Sequence, residues 1–183
     1  MQINWPTALA FVWLPSNDGS DVDEGEGETF ATRWGVTDGD WTDAVRKAVV
    51  TGTLAAATKA DLGQVLHALH WNACNCDALP SGADLMVFNA AMLEGAGYAT
   101  RATQQAAGTS GTGYGIGPLT VALVEKMGTG AFIDALAALD EAHFRSLASK
   151  AKKYSDDLRG WLRRENDAVA AAKELAASAA QQG

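Results

Sequence analysis

The chain has 183 residues and a net charge of −8, with 48% hydrophobic and 20% charged residues. This composition is typical of a globular domain that has enough apolar residues to bury a core. The acidic balance argues against nucleic acid or an anionic membrane surface as the partner, because both attract clusters of lysine and arginine.

Three local features of the sequence indicate the cellular compartment in which the protein is made. No apolar run approaches the roughly 20 residues of a transmembrane helix, so no membrane partner is predicted. The N-terminus lacks the basic region and apolar stretch of a secretory signal peptide, which predicts synthesis in the cytoplasm. Cys74 and Cys76 are separated by one residue and are poorly placed to bridge each other, so no disulfide framework is predicted.

The first part of the chain predicts three helices and an acidic stretch. Apolar residues at helical spacing indicate a helix over residues 5–14. The acidic, glycine-rich stretch at residues 16–37 follows. A second helix is predicted to begin at a Thr42 cap and to reach residue 50. Thr58, with Asp61 three residues later, resembles a capping box that opens a third helix.

The second part predicts a further series of helices. Ser81 is a good cap for a helix that Gly95 and Gly97 should break, with another helix at residues 98–107. Pro118 suits the first position of a helix that reaches residue 127.

The last predicted helices lie at residues 131–148 and 155–164. The alanine-rich tail from Asp167 is weakly amphipathic, which predicts either an exposed helix or one that depends on a partner. The predicted fold class is therefore mainly α, a helical bundle with a small β-hairpin or loop near residues 20–37.

Two patterns that could hold a metal or a cofactor favour simpler interpretations. His67, His70, Cys74 and Cys76 are zinc-ligand types. However, the histidines fall among core positions of a helix, and C-x-C is not the usual two-residue knuckle. Packed histidines and buried thiols are the preferred interpretation, so no metal is predicted. The glycine-rich loop at residues 108–117 lacks the ending of a phosphate-binding loop, so no cofactor is predicted.

The stretch at residues 16–37 is the main candidate for chemistry. Six acidic residues are crowded into its first part: Asp18, Asp21, Asp23, Glu24, Glu26 and Glu28. So many neighbouring negative charges repel one another, which is unfavourable unless water, a cation or a substrate compensates the charge. A solvated flexible loop is the alternative interpretation. The stretch ends in TRWGVT at residues 32–37, which predicts a strand or a tight turn.

The segment TRWGVT resembles the T-[KN]-[YFW]-G-[IV]-[TS] segment of glycoside hydrolase family 108, the phage and bacterial N-acetylmuramidases. Further matches follow in the same order and extend the resemblance over residues 8–164. They are Trp71, Cys76 and Leu79-Pro80, then Val87-Phe88-Asn89 through Gly95, then Gln104 or Gln105, and finally residues 116–120, 144–147 and 160–164. The motifs from residue 116 onward are similar to the peptidoglycan-binding module that usually follows the catalytic part.

This resemblance implies a lysozyme-like, mainly α fold and bacterial peptidoglycan as the substrate. It divides the chain into a muramidase-like domain at residues 1–108, module-like helices packed on it at residues 109–166, and a tail at residues 167–183. A protein of this kind without a signal peptide would reach the cell wall or periplasm through a holin or in a phage particle.

The chain departs from the family at the general acid. Family members carry it in an E-G-G-Y motif just after the first helix, and this motif is absent here. Phage-type lysozymes show a Glu-x8-Asp-x5-Thr spacing, and counting back from Thr32 puts Glu26 at the second position and Asn17 at the first. Counting forward from Phe11 by the family pattern gives Ser16 instead. Neither Asn17 nor Ser16 is an acid.

The remaining carboxylates are the candidates for catalysis. Counting back from Thr29 selects Asp23 as the second carboxylate, whereas counting from Thr32 selects Glu26. The predicted roles are Asp18, Glu24, Glu26 or Glu28 as the acid, Asp23 or Glu26 as the second carboxylate, and Thr32 as the residue that positions water. The residues predicted to bind the substrate are Trp34, Thr37 and Asn89.

Two functions follow from these observations. The first is a peptidoglycan hydrolase of the endolysin kind that cleaves the β-1,4 glycosidic bond, either as a free enzyme or as part of a virion. The second is a degenerate family member that serves as a virion or tail component, with other phage proteins as partners, or as a cell-wall-binding protein. The carboxylate density and the TRWGVT segment favour the first, and the absent acid and the acidic charge favour the second.

Overall fold

The computed structural model describes residues 4–17, 32–111 and 115–181. Within these ranges the chain is mainly α with a small hairpin, which confirms the predicted fold class. The elements are α1 Trp5–Val12, β1 Thr32–Arg33, β2 Val36–Thr37, α2 Asp38–Arg46, α3 Lys59–Leu66, α4 Ala83–Ala106, α5 Pro118–Met127, α6 Thr129–Ala148 and α7 Lys152–Ala180. Short 3-10 turns lie at Leu54–Ala56 and Cys76–Ala78.

Helix α1 begins with Pro6 in one of its first positions, where a missing N–H leaves no hydrogen bond unmade. One face of the helix buries Ala8, Phe11 and Val12, and the helix packs on α4. The predicted helix over residues 5–14 is confirmed, although its last regular residue is Val12 and the next residues form a turn.

Helix α2 begins earlier than predicted. Its N-cap is Thr37, whose hydroxyl accepts the Asp40 N–H at 3.0 Å, while the Asp40 carboxylate accepts the Thr37 N–H at 3.1 Å. This reciprocal capping box satisfies two backbone donors that would otherwise lack partners. Thr42 is followed three positions later by Val45, which cannot complete such a box. The predicted start at Thr42 is therefore wrong.

Helix α3 begins at the predicted capping box. The Thr58 N–H donates to the Asp61 carboxylate at 2.8 Å, and the Asp61 N–H donates to the Thr58 hydroxyl at 3.2 Å. The helix then widens into a π-helical turn over His67–Trp71. This turn buries His70 and Trp71, so the predicted core position of the second histidine is confirmed.

Helix α4 is kinked at Gly95, where φ is 82° and ψ is 157°. Glycine reaches this backbone region without steric cost, so the predicted break at Gly95 is confirmed, whereas Gly97 is helical. The predicted Ser81 cap is wrong, because Gly82 is the N-cap. The Ser81 hydroxyl instead accepts a hydrogen bond from the Asn4 amide at 2.9 Å.

The C-terminal half is built from three helices. The predictions at residues 118–127 and 131–148 are confirmed as α5 and α6. The predicted helix at residues 155–164 and the alanine-rich tail form one continuous helix, α7, which packs against α6 and α4. Ala168 and Ala172 are fully buried. The tail is therefore a packed part of the fold, not an exposed helix.

The core joins the N-terminal and C-terminal helices. Its largest fully buried side chains include Trp71, Phe88, Phe132 and Phe144. The proposed boundaries between a domain at residues 1–108, a module at 109–166 and a tail at 167–183 stay a prediction. Across the described ranges, no helix is both long and apolar enough to cross a membrane.

Candidate functional site

The TRWGVT segment forms a two-residue hairpin. Arg33 pairs with Val36, and the two residues between them have positive φ values, 50° at Trp34 and 80° at Gly35. This is the requirement of a type I′ turn, which matches the right-handed twist of the paired strands. A left-handed backbone costs a residue with a side chain about 1–2 kcal/mol. The conformation of Trp34 therefore has to be held by its surroundings.

Trp34 belongs to a cluster of two indoles and one ammonium group. The Trp13 Nε1–H donates to the Trp34 carbonyl at 3.0 Å, and the two rings meet edge to face with centroids 5.7 Å apart. The Lys59 Nζ lies 3.4 Å from the Trp34 ring centroid and 4.7 Å from that of Trp13. Cation–π attraction links the ammonium group to both rings. The cluster thus joins α1, the hairpin and α3.

Arg33 fixes the hairpin from its other side. Its Nη1 donates to the carbonyl oxygens of Leu54 at 2.7 Å, Ala55 at 3.1 Å and Ala57 at 3.1 Å. These carbonyls belong to the segment just before α3. Hydrogen bonds from a charged donor are stronger than those between neutral groups. Arg33 therefore holds the hairpin against the start of α3, where Lys59 lies.

A groove of about 580 Å³ runs between α1 and α3 beside this cluster. Its lining is mostly apolar: Trp5, Leu9, Trp13, Val49, Lys59, Ala60, Gly63, Gln64, His67 and Ala68. The two helices approach closely at Gly63, where a Cβ would meet the Trp13 ring at 3.4 Å. Lys59 is the lysine of this lining, and it lies at the end nearest the hairpin cluster.

The far wall of the groove is held by aromatic rings that meet edge to face. Trp5 makes edge-to-face contacts with His67, Trp71 and Phe88, at centroid distances of 4.7, 5.5 and 5.3 Å. Because Trp71 and Phe88 are fully buried, the Trp5 ring is fixed against the core. The groove is therefore lined by rings whose positions are set by packing.

A carboxylate–imidazole pair lies under the hairpin and was not predicted. The Asp40 Oδ1 is 3.6 Å from the His70 Nε2, and the His70 Nδ1 lies 3.1 Å from the Ala91 carbonyl. A carbonyl only accepts, so Nδ1 carries a proton. Burial raises the pKa of Asp40, but the nearby His70 imidazole, with hydrogen bonds from Thr37, outweighs it and lowers this pKa. Asp40 is thus ionised and cannot donate a proton.

The structure brings three of the predicted site residues together. Thr32 and Thr37 face each other across the hairpin, with Trp34 at its turn. The Thr37 hydroxyl is engaged in the α2 cap, where it lies 2.8 Å from the Asp40 carboxylate. The predicted catalytic carboxylates fall outside the described residues: Asp18, Asp23, Glu24, Glu26 and Glu28.

Asn89, predicted to bind substrate, lies apart from the hairpin and is fully buried. Its amide Nδ2 donates to the Glu165 carboxylate at 3.0 Å, and its Oδ1 accepts from the Arg164 Nε at 2.9 Å. Both ends of the amide are therefore engaged with α7. In this structure Asn89 connects α4 with the C-terminal helix.

Two carboxyl groups are buried between α4, α6 and α7. Asp140 accepts a hydrogen bond from the Tyr98 hydroxyl at 2.7 Å, and Glu165 accepts from Asn89. The second oxygens, Asp140 Oδ2 and Glu165 Oε1, are buried and have no hydrogen-bond partner among the described residues. Burial raises the pKa of Asp140 and of Glu165, and the charge of Asp140 raises that of Glu165 further. Burial therefore favours the protonated, neutral form of both carboxyl groups.

The four residues of zinc-ligand type make separate contacts in the fold. His67 packs on Trp5, and His70 lies between Asp40 and the Ala91 carbonyl. Burial raises the pKa of Cys74 to about 11 and that of Cys76 well above its ordinary value. Thiols in this state are poor metal ligands, because the thiolate is the binding form. In residues 4–17, 32–111 and 115–181, no three metal-ligating side chains converge.

The family model described as Glycosyl hydrolase 108 matches residues 15–95, which include the hairpin, Lys59 and Asn89. Eight chains of solved structures match. One is "Structure of Brucella abortus SagA", with a TM-score of 0.79 and 24% identity over 94% of this chain and 95% of that chain. At this identity the likeness is one of fold. No curated protein matches the chain.

Proposed function

We propose that this protein is a lysozyme-like glycosidase that cleaves the β-1,4 bond of bacterial peptidoglycan. The observation that carries the proposal is the coincidence of two features within residues 15–95. These residues match a glycosyl hydrolase model, and they contain the hairpin with Trp34, Lys59 and the α3 wall of the groove, whose other wall includes Trp13 of α1. Aromatic-lined grooves with a few polar groups are typical ligand sites.

The proposed chemistry needs a carboxylic acid and a second carboxylate. The acid protonates the glycosidic oxygen, and the second carboxylate either attacks the sugar or activates water, depending on their separation. Asp18, Glu24, Glu26 or Glu28 would supply the acid, and Asp23 or Glu26 the second group. Thr32, on β1 at the end of this segment, would position the water.

A second function is supported by the end of α1, where the resemblance places the acid. The Ser16 carbonyl accepts a hydrogen bond from Arg163 of α7, and the Asn17 Nδ2 donates to the Phe11 carbonyl at 2.9 Å. Neither a hydroxyl nor an amide can protonate a leaving group. The alternative is therefore a protein that binds the wall, or assembles with other phage proteins in a virion, without cleaving glycan.

Release of new reducing ends from purified sacculi separates the two functions. The unmodified protein should release them, and replacing the essential acid in the set Asp18→Asn, Glu24→Gln, Glu26→Gln and Glu28→Gln should reduce the rate about 10²–10⁴-fold. Glu125→Gln is the matched control, because it removes one exposed carboxylate from α5, away from the hairpin.

Sedimentation with the same sacculi provides the second readout. Binding without release of reducing ends, across pH and wall types, would contradict the glycosidase and support the wall-binding alternative. Release by the unmodified protein that none of the four variants reduces would contradict the assignment of the acid to this segment.

A further inference from the structure

Two carboxyl groups lie in the interface between α7 and the helices beneath it. Asp140 of α6 is fully buried, and Glu165 of α7 is 4% exposed. Each group accepts one hydrogen bond from α4, Asp140 from Tyr98 and Glu165 from Asn89. The other oxygen of each group is buried and has no hydrogen-bond partner among the described residues. A negative charge there is unfavourable, because few donors replace the water that burial removes.

The neighbouring charged groups are mostly engaged with one another. The groups that face the pair are Glu94 and Tyr98 on α4, His143, Glu141 and Arg145 on α6, and Arg164 on α7. The Glu94 carboxylate lies 2.9 Å from the His143 Nε2, and the Arg145 Nε donates to Glu141 at 2.9 Å. These contacts leave two cationic side chains, His143 and Arg164, to attract the buried pair.

That attraction is too weak to keep the pair ionised at neutral pH. Burial raises the pKa of Asp140 despite the nearby His143, and it raises the pKa of Glu165 despite the nearby Arg164. The charge of Asp140 raises the pKa of Glu165 further. Ionisation of both groups therefore places two like charges between three helices.

Helix α7 contributes small side chains to the core it covers. Its fully buried apolar residues are Ala168 and Ala172, whereas α4 and α6 supply Phe88, Phe132 and Phe144. A buried alanine removes only one methyl group from water. The docking of α7 on α4 and α6 is therefore sensitive to the charge state of the interface.

We infer that Asp140 and Glu165 form a pH-sensitive latch that controls the docking of α7 on α4 and α6. While both groups keep their protons, the interface is neutral and α7 stays docked. Loss of the two protons to solvent leaves two carboxylates in the interface and favours undocking. Arg163 of α7 donates to the Ser16 carbonyl at the end of α1, so undocking also breaks this contact. The latch does not require that the protein cleave glycan.

The direction of the pH effect follows from the two pKa values. They are raised by docking, from 3.8 to about 7 for Asp140 and from 4.5 to about 8 for Glu165. Docking should therefore be strongest near pH 4, weaken as the pH rises, and change no further above about pH 8. Between these limits, the equilibrium constant for undocking should rise about tenfold per pH unit for each proton released.

Hydrogen exchange followed by mass spectrometry measures the opening of each helix. An undocked α7 loses its tertiary support and frays, so its amides exchange with solvent. We expect the protection factors of α7 to be lower than those of α3 and to depend less on urea. Between pH 5 and 7 they should fall by about tenfold or more per pH unit.

Neutral variants test whether the pair causes this fall. Asp140→Asn and Glu165→Gln resemble the protonated acids in shape and carry no charge at any pH. Each should reduce the fall by about tenfold per pH unit, and the double variant should make the protection of α7 independent of pH. Glu174→Gln is the matched control, because it removes an exposed carboxylate from the same helix and should leave the fall unchanged.

Three results would overturn the inference. The first is equal protection and equal urea dependence in α7 and α3 at every pH, because α7 would then open only with the whole protein. The second is a protection of α7 that does not change with pH in the unmodified protein. The third is a fall that the double variant retains. If the double variant does not fold, an unchanged fall in both single variants is the contradicting result.

Discussion

The packing of the C-terminal helix on the start of α4 gives a prediction with an internal control. Gly82 has a φ of +94°, and a Cβ built there would overlap the Ala172 carbonyl oxygen and stand 3.2 Å from the Ala176 Cβ. Gly52 has a φ of +82°, but its Cβ would meet nothing within 4 Å. Replacing each glycine by alanine therefore separates backbone strain from the close approach of α7.

The expected losses of stability follow from the backbone strain and from the close approach of α7. A positive φ costs alanine about 1 kcal/mol, which applies to both variants. Overpacking against a backbone carbonyl adds about 2 kcal/mol at Gly82, because the carbonyl belongs to a helix and cannot move alone. Gly82→Ala should therefore lower the free energy of unfolding by about 3 kcal/mol, and Gly52→Ala by about 1 kcal/mol.

Urea unfolding and thermal melting measure both values. For a chain of this size, 3 kcal/mol corresponds to a decrease in Tm of about 6–12 °C. Equal losses in the two variants would show that α7 does not approach Gly82 as closely as described. A neutral Gly82→Ala would refute the packed position of the tail altogether. The result also bears on function, because α7 carries Arg163, which holds the end of α1.

Three further predictions concern groups inside the fold. Burial raises the pKa of Asp140 from 3.8 to about 7 and that of Glu165 from 4.5 to about 8. Between these pKa values the folded state holds protons that the unfolded state has lost, so the free energy of unfolding should fall from about pH 4 to about pH 8. Glu165→Gln should reduce this fall by roughly 1–3 kcal/mol, as measured by urea unfolding at each pH. Arg33→Lys should destabilise the chain by about 1–3 kcal/mol in urea unfolding, through loss of the hydrogen bonds to three carbonyls, whereas the exposed Arg159→Lys should not. The Cys74 thiol, whose pKa burial raises to about 11, should react with Ellman's reagent at the rate of unfolding.

Helix starts were predictable where a capping signal is complete in the local sequence. Thr58 with Asp61 forms both halves of a capping box, and the helix begins there. The start of α2 carries the same signal in Thr37 and Asp40, whereas the predicted start at Thr42 lacks the second half of the box. The signal was present because a capping box depends on residues only three positions apart.

The packing of the tail could not be read from its sequence. Ala168 and Ala172 are fully buried, and Ala172 lies against the N-terminus of α4, where Gly82 has no side chain. An alanine contributes little to a hydrophobic pattern whether it is buried or exposed. The tail consequently looked weakly amphipathic, although one of its faces is part of the core.

Of the candidate site, only the hairpin could be predicted from neighbouring residues in the sequence. The hairpin follows from Trp34-Gly35 between two short extended pairs, but the approach of Trp13 and Lys59 to Trp34 joins residues far apart in the chain. The pair of Asp40 and His70 likewise depends on the π-helical turn, which rotates His70 toward α2. No local spacing encodes contacts of this kind.

The pKa of a carboxyl group and its exposure to substrate together decide whether it can act as the general acid. A general acid must keep its proton near neutral pH and must also reach the substrate. In the described ranges the carboxyl groups with a raised pKa are Asp84, Asp140 and Glu165, and each is at most 4% exposed between helices. Asp40 lies near the hairpin, but its pKa is lowered. None of these four groups combines a raised pKa with access to a substrate, which is why the proposed glycosidase draws its acid from the carboxylates at residues 18–28.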